Sequence, residues 1–173
     1  MAIKKILTYP DPVLRQKVET VTSFDASLKE LARDLAETMY DAPGAGLAAN
    51  QIGVCLRVVV IDVSASKEEK KHLVLVNPEI VEKEGCQVDE EGCLSVIDLT
   101  ANVERFSKLL VRAQDLEGKT WEFPAEDFFA RVIQHELDHL NGILFIDHLS
   151  PLKRTLYKRH LKKLLREQEE VSS

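Results

Sequence analysis

Apolar residues recur every three or four positions along residues 24–40, where Leu28, Leu31, Ala32, Leu35 and Met39 share one face. That period predicts an amphipathic helix. Ser23 stands at its start as N-cap, and Asp41-Ala42-Pro43-Gly44 breaks it. The pattern then changes. Residues 56–62, Leu-Arg-Val-Val-Val-Ile-Asp, are dense in β-branched side chains and predict a strand. After a charged connection over 64–71, residues 73–80 predict a second strand and 108–114 a third. Asp115-Leu116-Glu117-Gly118 reads as a hairpin turn into 119–123. The longer period returns at Pro124, which opens a helix running to about Leu140 and stopped by Asn141-Gly142. Ser150-Pro151 starts a last helix, with the serine as cap and the proline in the first turn. Strands gather in the middle and helices flank them, so the class expected is α+β rather than alternating βαβ. No repeat or linker divides the chain. Residues 1–150 are expected to form the main body, with 151–173 a basic helix packed on the same single domain.

Composition narrows the class without naming a chemistry. The chain has 173 residues, 45% hydrophobic and 30% charged, which suits one domain with an ordinary core. No apolar run is long enough to span a membrane. The basic start Met1-Ala2-Ile3-Lys4-Lys5-Ile6 is cut short by Pro10-Asp11-Pro12 before a signal sequence could form, so a cytoplasmic location is expected. Three cysteines, an odd number, argue against a disulfide framework and against a Cys86–Cys93 bridge. Cys55, in a strand-like run, reads as a small buried hydrophobe. The net charge of −6 is uneven, because residues 151–173 carry seven Lys/Arg against three Glu.

The chemistry concentrates in Gln134-His135-Glu136-Leu137-Asp138-His139. On a helix, positions i and i+4 lie nearly on one face, so His135 and His139 can point at one metal ion and Glu136 can reach a water on it. Phe128, Phe129, Val132 and Ile133 precede them at helical spacing, which turns the motif toward the core. A catalytic site of this kind usually has a third protein ligand. One metalloprotease class would place a histidine at position 145, which is Phe145; His148 is out of that register. Glu167 and Glu169 lie on the basic helix. Cys93, in Glu91-Gly92-Cys93-Leu94-Ser95, would complete a Cys/His/His set with one open position. The small residues of Gly44-Ala45-Gly46-Leu47-Ala48-Ala49-Asn50-Gln51 would let a substrate backbone approach closely.

These three segments, in this order, resemble peptide deformylase, with Gly-x-Gly-Leu-Ala-Ala-x-Gln at Gly44–Gln51, Glu-Gly-Cys-Leu-Ser at Glu91–Ser95 and Gln-His-Glu-x-Asp-His at Gln134–His139. The resemblance extends over Pro10-Asp11, Leu14-Arg15 and Phe145–Pro151, nearly the whole chain. It implies antiparallel or mixed sheets wrapped around a central helix that carries the His-Glu-x-x-His motif, with a C-terminal helix. It makes residues 1–150 the catalytic domain and the activity the removal of the N-formyl group from the initiator methionine of new proteins, releasing formate. By the same resemblance Cys93, His135 and His139 hold the metal, and Glu136 is the catalytic acid and base. Gln51 and the backbone N–H of Leu94 stabilise the oxyanion. Gly44, Ala45, Gly46, Gly92 and Val132 form the substrate site, and Arg105 pairs with Glu91 to support the Cys93 loop. It implies Fe²⁺, one per chain, with Zn²⁺ or Ni²⁺ able to replace it in isolated protein, and N-formylmethionyl nascent peptides as partners of a monomer. Some members dock on the ribosome through the C-terminal helix, which gives the basic 151–166 segment an RNA-facing role; the plainer reading is a helix packed by its leucines.

Four positions depart from the family pattern. Ile97 follows Val96 where many members have proline, and Thr100 stands where some have arginine. Ala45 is smaller than usual, and Arg131 replaces an aliphatic wall of the methionine pocket. They bear on pocket shape rather than on the reaction. Two rivals differ in the metal set. A zinc endopeptidase would bind metal without Cys93. A structural zinc protein would need a fourth ligand such as Cys86.

Overall fold

The computed structural model describes residues 2–66 and 68–172. Met1, Lys67 (in the 64–71 connection) and Ser173 (at the end of the basic helix) lie outside the described residues. Seven strands and three α-helices follow one another: α1 (Ala26–Asp41), β1 (Gly46–Ala48), β2 (Val58–Ile61), β3 (Leu73–Glu84), β4 (Gln87–Cys93), β5 (Val96–Arg105), β6 (Lys108–Gln114), β7 (Thr120–Glu126), α2 (Asp127–Leu140) and α3 (Pro151–Ser172). Five strands form an antiparallel sheet in the order β1-β2-β3-β6-β7, and β4 and β5 form a separate hairpin. The class is α+β, as expected.

Strand β2 shows why the sheet is covered on both faces. Its four residues, Val58–Ile61, are all buried. Val58 and Val60 pack with Leu28, Leu35 and Met39 of α1, whereas Val59 and Ile61 pack with Val132, Ile133 and Leu137 of α2. Strand alternation sends neighbours to opposite faces, so an unbroken apolar run requires a helix on each side. Helix α2 therefore lies between the sheet and the β4–β5 hairpin, at the centre of the molecule. A third cluster joins Val96 and Val103 of the hairpin to Phe145, Ile146, Leu149, Tyr157 and Leu161.

Several boundaries differ from the pattern reading. Helix α1 is capped by Asp25, whose carboxylate accepts from Leu28 N, and not by Ser23. Pro124 does not open α2: it sits in β7 opposite Leu110, and α2 begins three residues later. β7 is an edge strand, where a missing N–H leaves no ladder bond unmade in the sheet interior. The chain reverses instead at Asp127, with φ +54°, a conformation Asp tolerates. β3 runs to Glu84, past the expected end at 80. The β4–β5 hairpin was not expected as a strand pair, because Asp89-Glu90-Glu91 masks its alternation. Phe128 is exposed rather than core-facing. Among the described residues of α3, Tyr157 and Leu161 are buried and Leu164 is half-buried, whereas Leu152, Leu156 and Leu165 are exposed, so the leucine stripe packs the helix only in part. The ends predicted from turn chemistry do hold. Gly142, at φ +73°, and Ile143 close α2 by bonding the carbonyls of His139 and Asp138 at 3.0 and 2.8 Å.

Ile133 is fully buried between α2 and the sheet. Truncation to alanine should lower stability by about 2–5 kcal/mol in urea unfolding, whereas Leu165→Ala on the exposed flank of α3 should change it by less than about 0.5 kcal/mol.

Candidate active site

A cleft of about 600 Å³ opens where β1, the hairpin and α2 meet. Its walls include Gly44, Ala45, Gly46, Gln51, Gly92, Cys93, Leu94, Val132, His135 and Glu136. All five expected substrate-site residues therefore line one cavity. His139 lies beneath it, fully buried. Cys93, His135 and His139 bring one ligand atom each to within 4.8 Å of one another, the only such group of donors among the described residues. The Cys93 Sγ is 3.3 Å from His139 Nε2.

The helix explains the two histidines, and the hairpin explains the cysteine. His135 and His139 are one turn apart on α2, and the irregular register at Gly92/Cys93 ends β4 with the thiol turned toward them. Neighbouring groups hold the residues of the cluster, although the buried Nδ1 of His139 has no hydrogen-bond partner. Glu91 Oε1 accepts from His135 Nδ1 at 2.9 Å, which leaves the other ring nitrogen for the cleft. Asn50 Nδ2 donates to the His139 carbonyl at 2.6 Å. Gln51 Oε1 accepts from Ala48 N at 2.9 Å, while its Nε2 donates to Ser95 Oγ at 2.9 Å and lies 3.9 Å from Cys93 Sγ. The amide group of Gln51 thus faces the donor cluster.

Glu91 is the buried charge of the site. Arg105 holds it through Nε and Nη2 at 2.8 and 2.9 Å, the expected pair. Burial pushes its carboxyl up, but Arg105 and His135 outweigh that and keep it well below the usual carboxylate range. Glu136 has the opposite environment. Burial pushes its carboxyl up to about 7, and its Oε2 is buried without a hydrogen-bond partner. A group tuned near neutrality can take a proton and give it back. Gly46 makes room for it, since a Cβ there would lie 2.9 Å from Glu136 Cγ and 3.0 Å from Val132 Cγ1.

The alternatives raised by the sequence find no support in the geometry. Phe145 packs its ring 6.2 Å from that of His135 and has no ligand atom. His148 bonds Asp138 at 2.9 Å, and Glu167 and Glu169 are exposed on α3. Cys86 bonds Glu104 at 3.1 Å, away from the cluster, and the three cysteines are free. Cys55 is half-buried against the core cluster. Sequence reasoning missed Asn50 and Ser95, which carry no chemical signature of their own, and the inward path of Arg131. Arg131 lines the cleft as an expected wall residue would, but its side chain is buried and bonded to Glu91.

The chain is similar to known proteins over nearly its whole length. A family model described as polypeptide deformylase matches residues 3–155. A peptide deformylase of Desulfotalea psychrophila is 58% identical over 164 residues, covering 94% of this chain and 97% of the relative. One of Rhizobium meliloti is 51% identical, covering 94% of each. The crystal structure of a peptide deformylase from Legionella pneumophila superposes with a TM-score of 0.90 at 49% identity, over 97% of this chain and 98% of that one.

The donor set makes a direct prediction. Cys93→Ser should lower metal content well below one ion per chain by elemental analysis, whereas full retention would point to a site built on the histidines alone.

Proposed function

The chain belongs to the polypeptide deformylase family, and from that premise we propose that Cys93, His135 and His139 hold a divalent ion while Glu136 carries the protons of formyl-group hydrolysis. The family activity is amide hydrolysis that removes the N-formyl group from nascent peptides, and it is metal-dependent. The observation that carries the assignment of residues is the convergence of one sulfur and two imidazole donors beside the unpartnered oxygen of Glu136. That set fits a catalytic metal: three protein donors leave a position open, and His135 is backed by a carboxylate in the manner of metal-ligating histidines.

A bound ion supplies Lewis acidity, making water acidic near neutral pH and drawing charge from the formyl oxygen. The chain's own groups do the rest. Glu136 takes the proton of the attacking water, and the hydroxide adds to the formyl carbon. Negative charge gathers on the formyl oxygen, where Gln51 Nε2 and the Leu94 N–H stabilise it. The C–N bond breaks, Glu136 hands its proton to the departing amine, and formate leaves. Gly44, Ala45, Gly46, Gly92 and Val132 line the space for the substrate main chain and methionine side chain. We propose Fe²⁺ as the working ion, one per chain. Thiolate and imidazole also suit Zn²⁺, and anaerobic purification with elemental analysis distinguishes them.

We propose a monomer, and one domain with α3 packed on it through Tyr157 and Leu161. No described helix is long and apolar enough to cross a membrane. The cytoplasm, where formylated chains are made, is the proposed compartment. The exposed row Lys158, Lys162 and Arg166 on α3 is proposed to face ribosomal RNA. Reversing those three charges should abolish salt-sensitive co-sedimentation with ribosomes, and unaltered co-sedimentation would remove that role.

Three substitutions test the chemistry on a formyl-Met peptide by formate release. Glu136→Gln should keep its metal and lose about 10²–10⁴-fold in turnover. Gln51→Ala should cost about 10²–10³-fold in kcat, near 3 kcal/mol of transition-state stabilisation. Gly46→Ala, which displaces Glu136, should cost about 100-fold. Near-normal turnover by the Glu136 variant would sink the mechanism.

A further inference from the structure

Arg131 stands in the wall of an otherwise ordinary substrate cleft, yet its charge does not face the cleft. It lies on α2 one turn before His135, with a side chain only 4% exposed. Its Nη1 donates to Glu91 Oε2 and, at 2.9 Å, to the Val103 carbonyl of β5. Its Nη2 reaches the Gln87 carbonyl of β4 at 3.4 Å. One guanidinium thus touches both strands of the hairpin and the carboxylate that backs His135. Glu91 is the sole carboxylate paired with it among the described residues, whereas Arg105 is shared between Glu91 and Asp138.

The two arginines hold Glu91 from different elements. Arg105 belongs to the hairpin, as Glu91 does, and meets α2 at Asp138, on the far side of His135 from Arg131. Arg131 belongs to α2, as His135 does. It ties the carboxylate to the helix that carries the ligand, one turn away from it. We propose that Arg131 is a positioning residue for His135, acting through Glu91 by the geometry of its fork. This rests on the reading of Cys93, His135 and His139 as the metal set.

Geometry and charge predict opposite results. If Arg131 acts only as a positive charge, its removal leaves the site more negative and should make a cation leave more slowly. If it acts by position, its removal frees the Glu91–His135 pair and the cation should leave faster. Co²⁺ serves as the probe, with release to excess chelator and the visible d–d spectrum as readouts. The unaltered chain is expected to bind one Co²⁺, and failure to do so would overturn the metal reading itself and this inference with it. Arg131→Met should release Co²⁺ about 10-fold faster, the low end of the 10–100-fold cost of losing a ligand's own outer partner because Arg131 acts one contact further out, with an altered d–d band. Arg131→Lys keeps the charge but has one terminal nitrogen in place of two, so it cannot hold Glu91 and Val103 from one arm and the Gln87 carbonyl from another. It should also release faster than the parent, by a smaller factor, and it carries the test alone if the methionine variant does not fold. Parent-like release and spectrum in a folded variant overturn the proposal, as does slower release from Arg131→Met. A rise in KM alone, with Co²⁺ release unchanged, would reduce Arg131 to a piece of pocket wall and likewise overturn it.

Discussion

A single buried carboxylate organises this molecule. Glu91 sits in the interior with Arg105, Arg131 and His135 around it, and these contacts join two elements, the β4–β5 hairpin that carries Glu91 and Arg105 and the helix α2 that carries Arg131 and His135. An isolated buried carboxylate would cost several kcal/mol, and removing one partner of a buried charge leaves that cost uncompensated. The arrangement is therefore all-or-none in character. The hairpin must dock on α2 in one register for the charges to pair, and that register is the one that turns Cys93 toward the histidines. Electrostatic satisfaction and the convergence of the three donors are the same constraint.

Around that anchor the site relies on smallness where the helix comes close. Gly46 leaves the space that Glu136 fills, and Gly44 approaches Leu94 closely enough that a Cβ would lie 2.8 Å from its Cδ1. Gln51 is held at one end by Ala48 N so that its other end faces the donors. The polar groups of the cleft are thus fixed before a substrate arrives, and preorganised donors of this kind need no rearrangement as charge develops.

The sequence was most legible where the physics is local. His135 and His139 could be placed on one face because helix geometry alone relates i to i+4, and the C-terminal stop at Asn141-Gly142 follows from backbone preference. β2 was legible because four apolar residues in a row have few other uses. The β4–β5 hairpin was not, since Asp89-Glu90-Glu91 is a run of acids whose last member, Glu91, is buried only because Arg105 and Arg131 pair with it. Pro124 misled because proline begins helices and edge strands alike, and only the sheet order separates the two. Phe128 and the outer α3 leucines, Leu152, Leu156 and Leu165, misled for another reason: helical spacing assigns a face, but only tertiary packing decides how much of that face is covered. The third metal donor was open on spacing alone, since Cys93 lies forty-two positions before His135. Only the folded chain brings their ligand atoms together.

The burial of His139 has a consequence for traffic through the molecule. It lies under the floor of the cleft with no surface of its own, while Cys93 and His135 line the cleft itself. An ion taken up by the three as proposed would approach from the same side as a peptide. Under that reading a filled cleft would also be a cork over the donors.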